Sequence, residues 1–245
     1  MMNRGLSVYP CIPEELTSPV SIPDLRQCFD LKVRDPGSAL THFIGAIAAI
    51  VAAPFLICHM AAKGADALGI LGACIFVLSM ILLYSASTTY HTVVVSKETE
   101  KIFKRIDHMM IFVLIAGTYT PICLTVLRDS CGYLLLVGVW GIAVIGMIFK
   151  FFWVTCPKWL SSVIYISMGW LCIFALPEIL QSMGTEGFLF LLAGGIVYTV
   201  GGVLYALKLE PFNGRHPYFG SHEIFHVCVM AGNLLQFITI YNYLV

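Results

Sequence analysis

The sequence predicts an all-α membrane protein, a bundle of seven transmembrane helices, and three observations carry that expectation. Of the 245 residues, 59% are hydrophobic and only 11% are charged, with a mean hydropathy of +0.88. The apolar residues gather in runs near the roughly 20 residues that a bilayer-spanning helix needs. Short polar or Gly/Pro-containing breaks separate the runs. An ordinary soluble domain carries roughly 25% charged residues, and a folded interior cannot hide this much apolar surface. Lipid must therefore cover most of the outside.

Residues 1–37 are polar and dotted with prolines (Pro10, Pro13, Pro19, Pro23, Pro36). They hold no apolar run long enough for a signal-peptide core, so they read as a loosely ordered tail with one short amphipathic piece. The first apolar run is then its own targeting signal. From 38 to 245 the chain is one helical domain, with spans expected at 38–60, 68–91, 107–127, 132–152, 160–178, 187–207 and 222–244. The breaks fall at 63–66, 96–105, 128–130, 155–158, 181–186 and 208–221. Unpaired backbone is prohibitively costly in hydrocarbon, and the runs lack the strict alternation of barrel strands, so helices are the reading. Pro121 falls inside the third run, where it should kink the helix. Gly194, Gly195, Gly201 and Gly202 in the sixth run permit close helix packing. No internal repeat of the kind built into inverted-repeat transporters is evident.

Basic residues set the orientation. With seven spans, the tail and alternate loops share a side that collects Arg4, Arg26, Lys32, Arg34, Lys97, Lys101, Lys104, Arg105, Lys150, Lys158, Lys208 and Arg215. The opposite side has only Lys63 and Arg128. The N-terminus is expected in the cytoplasm and the C-terminus outside. The net charge of zero, from 14 basic and 14 acidic residues, leaves no excess basic patch for a nucleic acid; membrane lipids are the expected partners. The nine cysteines are scattered, several within apolar runs (Cys58, Cys74, Cys123, Cys172, Cys228). With no CxxC pair, they read as small buried hydrophobes.

Polar groups inside membrane helices are costly and mark function. Ser87 and His91 lie four residues apart near the inner end of the second run, and His222 and His226 share that spacing at the start of the seventh, so each pair shares a helix face. Asp107 opens the third run at the same end. Three imidazoles with an open position describe a catalytic zinc site, zinc suits imidazole, and Asp107 is placed to hold a water or a ligand. Ser221 is the expected N-cap of the last helix, with Gly220 giving the chain room to turn. His59 reads as interfacial, His216 as solvated, and His42 as a helix-packing residue. His108 points about 100° away from Asp107 on a helix, so both cannot face one metal.

These segments also carry a resemblance. SASTTYH (85–91), RIDHMMIFVLIAGTYTP (105–121), GSHEIFH (220–226) and, more loosely, DPGSALTHFIG (35–45) resemble the hemolysin III branch of the progestin and adipoQ receptor family. That family is similar to the adiponectin receptors and, more distantly, to the alkaline ceramidases. The resemblance covers the chain from about residue 35 to the end. It implies a seven-helix fold with zinc near the cytoplasmic side, held by His91, His222 and His226. It further implies that Asp107 contacts the zinc-bound water and that Ser87 supports it. It also implies a bacterial plasma membrane as the location. One departure is clear. The family's acidic residues and asparagine ahead of Thr-His are partly replaced here, where Arg34, Asp35 and Ser38 precede Thr41 and His42.

The expected function is a zinc-dependent hydrolase acting on a lipid amide, ceramidase-like, with Asp107 and Ser87 as the catalytic groups. The alternative is a membrane sensor of lipid state in which zinc is structural. A lytic pore is a third reading, poorly served by a chain that could not be soluble before insertion and that clusters its polar residues at one end.

Overall fold

The computed structural model describes residues 33–216 and 218–244; the amphipathic piece expected in the tail lies outside the described residues. All regular structure among the described residues is helical. The helices are α1 (Pro36–Ala62), α2 (Ala67–Thr92), α3 (Lys97–Leu124), α4 (Gly132–Phe152), α5 (Lys158–Gly169), α6 (Leu176–Leu207), a short α7 (Glu210–Arg215) and α8 (Ser221–Tyr243). A 3₁₀ segment, Trp170–Ala175, joins α5 to α6.

Six stretches are long and apolar enough to cross a membrane, with Lys158–Leu207 counting as one stretch of 50 residues. That stretch is not straight. Gly184 sits at φ 69° and ψ 177°, a conformation that glycine adopts without the steric cost of a Cβ. The indole of Trp170 donates to Thr199 Oγ1 at 2.9 Å, and a Cβ on Gly202 would meet Ile166 at 3.1 Å. Those partners are roughly 30 residues apart, which is about 45 Å along a straight helix, so the chain doubles back within this stretch.

Two helix starts differ from the sequence reading, each for a local reason. α1 starts at Pro36, where the missing N–H of proline costs nothing in a first turn. α3 starts at Lys97 and not at Asp107, because Ser96 Oγ caps it by accepting from Thr99 N and its charged first turns continue the helix beyond the apolar run. Asp107 therefore lies about three turns into α3 and does not open it. Pro121 stands inside α3, three residues from its end.

The helices pack in chain order, α1 on α2, α2 on α3 and α3 on α4; α5 and α8 both pack on α6, and α8 closes against α1. Close approach is set by small residues, since a Cβ on Gly72 of α2 would lie 2.7 Å from the Pro121 Cα of α3. The glycines of α6 work within the chain: Gly194 faces Gln236 and Gly201 faces Cys228 of α8. Asn233 of α8 bridges two tyrosines, donating to Tyr84 and accepting from Tyr198, each at 2.5 Å. Buried Lys150 at the end of α4 donates to Ser161 Oγ at 2.5 Å and Cys156 Sγ at 3.0 Å, which ties that end to α5. Large apolar side chains such as Leu134, Val137, Phe152 and Phe174 cover the outside, as lipid contact requires.

At the end of the bundle opposite the start of α1, Asp66 caps α2 by accepting from Gly69 N at 2.9 Å and pairs with Arg128. The Arg128 guanidinium, then the Gly69 N–H, holds the exposed Asp66 carboxyl down to about 2.

Candidate metal centre

The end of the bundle where α1 begins is built by backbone and capping bonds that reach between helices. The last carbonyls of α2 have no intrahelical partner. Asp35 N donates to His91 O at 2.9 Å and Arg34 N to Thr92 O at 3.4 Å, so the residues ahead of α1 close the end of α2. α8 starts differently from expectation. Gly220, not Ser221, is the N-cap. The Ser221 N–H donates to Asn213 Oδ1 of α7 at 2.7 Å, a bond that the Ser221 side chain, one position too late, cannot supply. Glu223 reaches back to accept from Gly220 N at 2.7 Å and also accepts from the Ser38 hydroxyl of α1. The starts of α1 and α8 and the end of α2 are thereby held together.

This brings His91, His222 and His226 into one group whose ligand nitrogens all lie within 4.8 Å of one another. His91 and His226 are 4% and 2% exposed, and His222 is partly buried. Their hydrogen bonds select the nitrogen that faces the centre. His91 Nδ1 lies 2.9 Å from the Asp35 carboxylate, which can only accept, so Nδ1 carries the proton and Nε2 the lone pair. Thr41 Oγ1 spends its own proton on Ser38 O at 2.9 Å. It must therefore accept from His226 Nδ1, 3.0 Å away, which leaves His226 Nε2 free as well. His222 Nε2 lies 3.2 Å from His91 Nε2.

The donor set fits a metal. Two nitrogens bound at about 2.0–2.1 Å in a tetrahedral site lie about 3.3 Å apart, close to the observed separation. A lone pair on His91 Nε2 facing a second ring nitrogen at 3.2 Å is well served by a cation between them. The Asp35–His91 contact is the carboxylate–imidazole pair that orients metal-bound histidines. That bond, with the Arg34 guanidinium 2.9 Å from the same oxygen, holds the Asp35 carboxyl below the usual carboxylate range against the opposing effect of partial burial.

A cavity of about 160 Å³ runs into the bundle from this group, lined at its near end by His42, Ser87, Asp107, His222 and His226, and otherwise mostly by apolar side chains. Asp107 is buried, its carboxylate 3.5 Å from His108 Nδ1. Ser87 is fully buried and its hydroxyl has no hydrogen-bond partner among the described residues. On the other side His222 borders a polar cleft with Arg34, Asp35, Lys158, Tyr218 and Glu223. Of the remaining histidines, His59 stacks on Tyr241 at 3.7 Å and exposed His216 stacks on Phe212 at 4.3 Å, so neither is near the group. His42 packs between helices, stacked on His226 at 3.6 Å and tilted by 8°.

Sequence reasoning missed Asp35, Thr41 and Glu223. The signal for the first two was their place just before and just inside the first run, at the depth of His91 and His226. A pattern of residue types does not say which imidazole each one meets. Replacing Asp35 by Asn keeps the shape but removes the charge that orients His91. Metal affinity, measured by competition with a chelator in detergent, is expected to fall about 10- to 100-fold with the thermal midpoint of the metal-free protein little changed. Unaltered affinity would remove Asp35 from the centre.

The family model described as haemolysin-III related matches residues 32–237. The hemolysin-3 homolog of Bacillus subtilis (strain 168) is 41% identical over 208 residues, covering 85% of this chain and 93% of its own. Hemolysin-3 of Bacillus cereus is 40% identical over 206 residues, covering 84% and 90%. More distantly, the adiponectin receptor protein of Drosophila melanogaster is 26% identical over 239 residues, covering 88% of this chain and 52% of that one. With its six apolar stretches, the chain is a multi-pass protein of the bacterial cell membrane, and it belongs to the haemolysin-III-related family.

Proposed function

We propose that this protein is a zinc-dependent hydrolase of a lipid amide. The observation that supports it most is the convergence of His91, His222 and His226 beside an apolar cavity that His222, His226 and Asp107 line. Three neutral nitrogens with no thiolate among them suit zinc. Zinc in such a site lowers the pKa of water to about 7 and polarises a carbonyl. The residues of the chain do the rest. The cavity takes the acyl chain from the lipid side. Asp107 accepts a proton from the attacking water and returns it to the departing amine, as general base and then general acid. Ser87, whose hydroxyl has no other partner among the described residues, donates to the carbonyl oxygen as negative charge develops there. The amine leaves through the polar cleft that His222 also borders.

Asp107→Asn keeps the size of the side chain and removes the base. In purified, zinc-loaded protein it is expected to lower the rate of release of fatty acid from N-acyl amides by about 10²- to 10⁴-fold while leaving the metal bound. A wild type that holds zinc but releases no fatty acid from any N-acyl amide, including N-acyl sphingoid bases, would favour the sensor reading and end the hydrolase one. The word hemolysin belongs to the Bacillus relatives; the polar side chains grouped at one end of this bundle give little support to a lytic pore.

The same reading takes Lys158–Leu207 as two crossings, reversing near Gly184, for seven spans. Twelve basic residues on the tail side against two on the other then place the N-terminus inside and the C-terminus outside. Alkaline phosphatase, active only outside the cytoplasm, should be active when fused after Val245 and inactive when fused at Ser96. An inactive C-terminal fusion, with full-length protein in the membrane, would mean an even number of spans.

A further inference from the structure

His42 is 2% exposed, and neither of its ring nitrogens has a hydrogen-bond partner among the described residues. An imidazole buried in that way is costly, and a phenyl or isobutyl side chain would fill the same space without the cost. Its nitrogens are not among those that converge on the metal position. The ring lies flat on His226 at 3.6 Å and packs against Tyr84 at 5.1 Å, so its plane is fixed, and its edge lines the cavity. Ser87 lines the same cavity, 0% exposed and equally without a partner.

One imidazole and one hydroxyl in the lining of a mostly apolar cavity offer a donor and an acceptor. The group that satisfies both is small, neutral and polar, and carries a long apolar substituent. A primary or secondary carboxamide on an acyl chain has this form: its oxygen accepts from one of the pair, and its N–H donates to the other. We propose that His42 is a ligand-binding residue that, together with Ser87, hydrogen-bonds the amide end of a long-chain acyl amide in the cavity. This assignment rests on the lipid-amide reading above and names the groups that recognise the amide. The flat stack on His226 fixes the angle at which the amide meets the metal-binding nitrogens.

The test uses palmitamide, bound by the purified full-length protein in detergent and followed by equilibrium dialysis, in an Asp107→Asn background so that the ligand stays intact. Added to that background, His42→Phe keeps a flat ring against His226 and should keep the metal. Its affinity for palmitamide should fall about tenfold, the equivalent of one buried hydrogen bond and the orphaned group it leaves. His42→Asn, which restores a donor and an acceptor, should recover part of that loss. Hexadecane, the same chain length without an amide, should bind the His42→Phe protein at least as tightly as its parent.

Equal palmitamide affinity in the parent and in His42→Phe would overturn the proposal, as would an absence of saturable binding in the parent. Loss of the metal from both His42 variants would also overturn it, by making His42 a support for His226. Binding is read here without turnover. His42-dependent binding in a protein that never releases fatty acid would therefore bring down the hydrolase reading and leave this one standing.

Discussion

An imidazole nitrogen buried in a lipid-covered bundle is costly without a partner, and the partners of His91 and His226 come from the chain around α1. Asp35 takes the Nδ1 proton of His91 and Thr41 takes that of His226. Two Nε2 lone pairs are thereby turned inward, where His222 brings a third nitrogen within 3.2 Å of the first. Such a set can hold a cation, and among the described residues no acid or thiol joins the group. The surrounding structure follows from holding these rings in place. The chain ahead of α1 seals the end of α2, Glu223 links α8 to α1, and Asn213 seals the start of α8. These cross-helix bonds hold the helix ends that carry the histidines.

The position of the group within the bundle matters as much as its composition. His222 borders both an apolar cavity and a polar cleft. A molecule with an apolar chain and a polar end fits there with its chain inward and its polar end outward, the junction beside the clustered histidine nitrogens. Asp107 and Ser87 line the apolar side, away from bulk water, where a carboxylate and a hydroxyl interact more strongly with a developing charge than they would in water. Under the proposed hydrolase reading, the chemistry falls at the junction of chain and head group.

Much of this was legible in the sequence, for physical reasons. Apolar runs report helices because lipid permits little else, and four-residue spacing reports a shared face, so Ser87, His91, His222 and His226 fall into one group on spacing and depth alone. What stayed hidden depends on partners distant in sequence. Asp35 meets His91 across 56 positions and Ser38 meets Glu223 across 185. No local pattern encodes those meetings. Helix ends were misplaced where polar residues continue a helix past the membrane, as at Lys97, or where a cap comes from another element, as at Ser221. The reversal at Gly184 was expected only as a polar break at 181–186, because composition marks a turn without giving its backbone angles. His42 is a packing residue, as its place one turn into the first run suggests, but its partner in space, His226, is far away in the chain.

The account stands on one claim, that three imidazoles hold a metal. It is tested most directly by metal analysis together with zinc-edge X-ray absorption on protein purified without chelators, wild type beside His91→Ala and the double variant His222→Ala/His226→Ala. The account predicts about one zinc per chain with nitrogen neighbours at about 2.0–2.1 Å, lost in both variants. No stoichiometric metal in the wild type, a sulfur-containing first shell, or zinc that survives in the variants would contradict it.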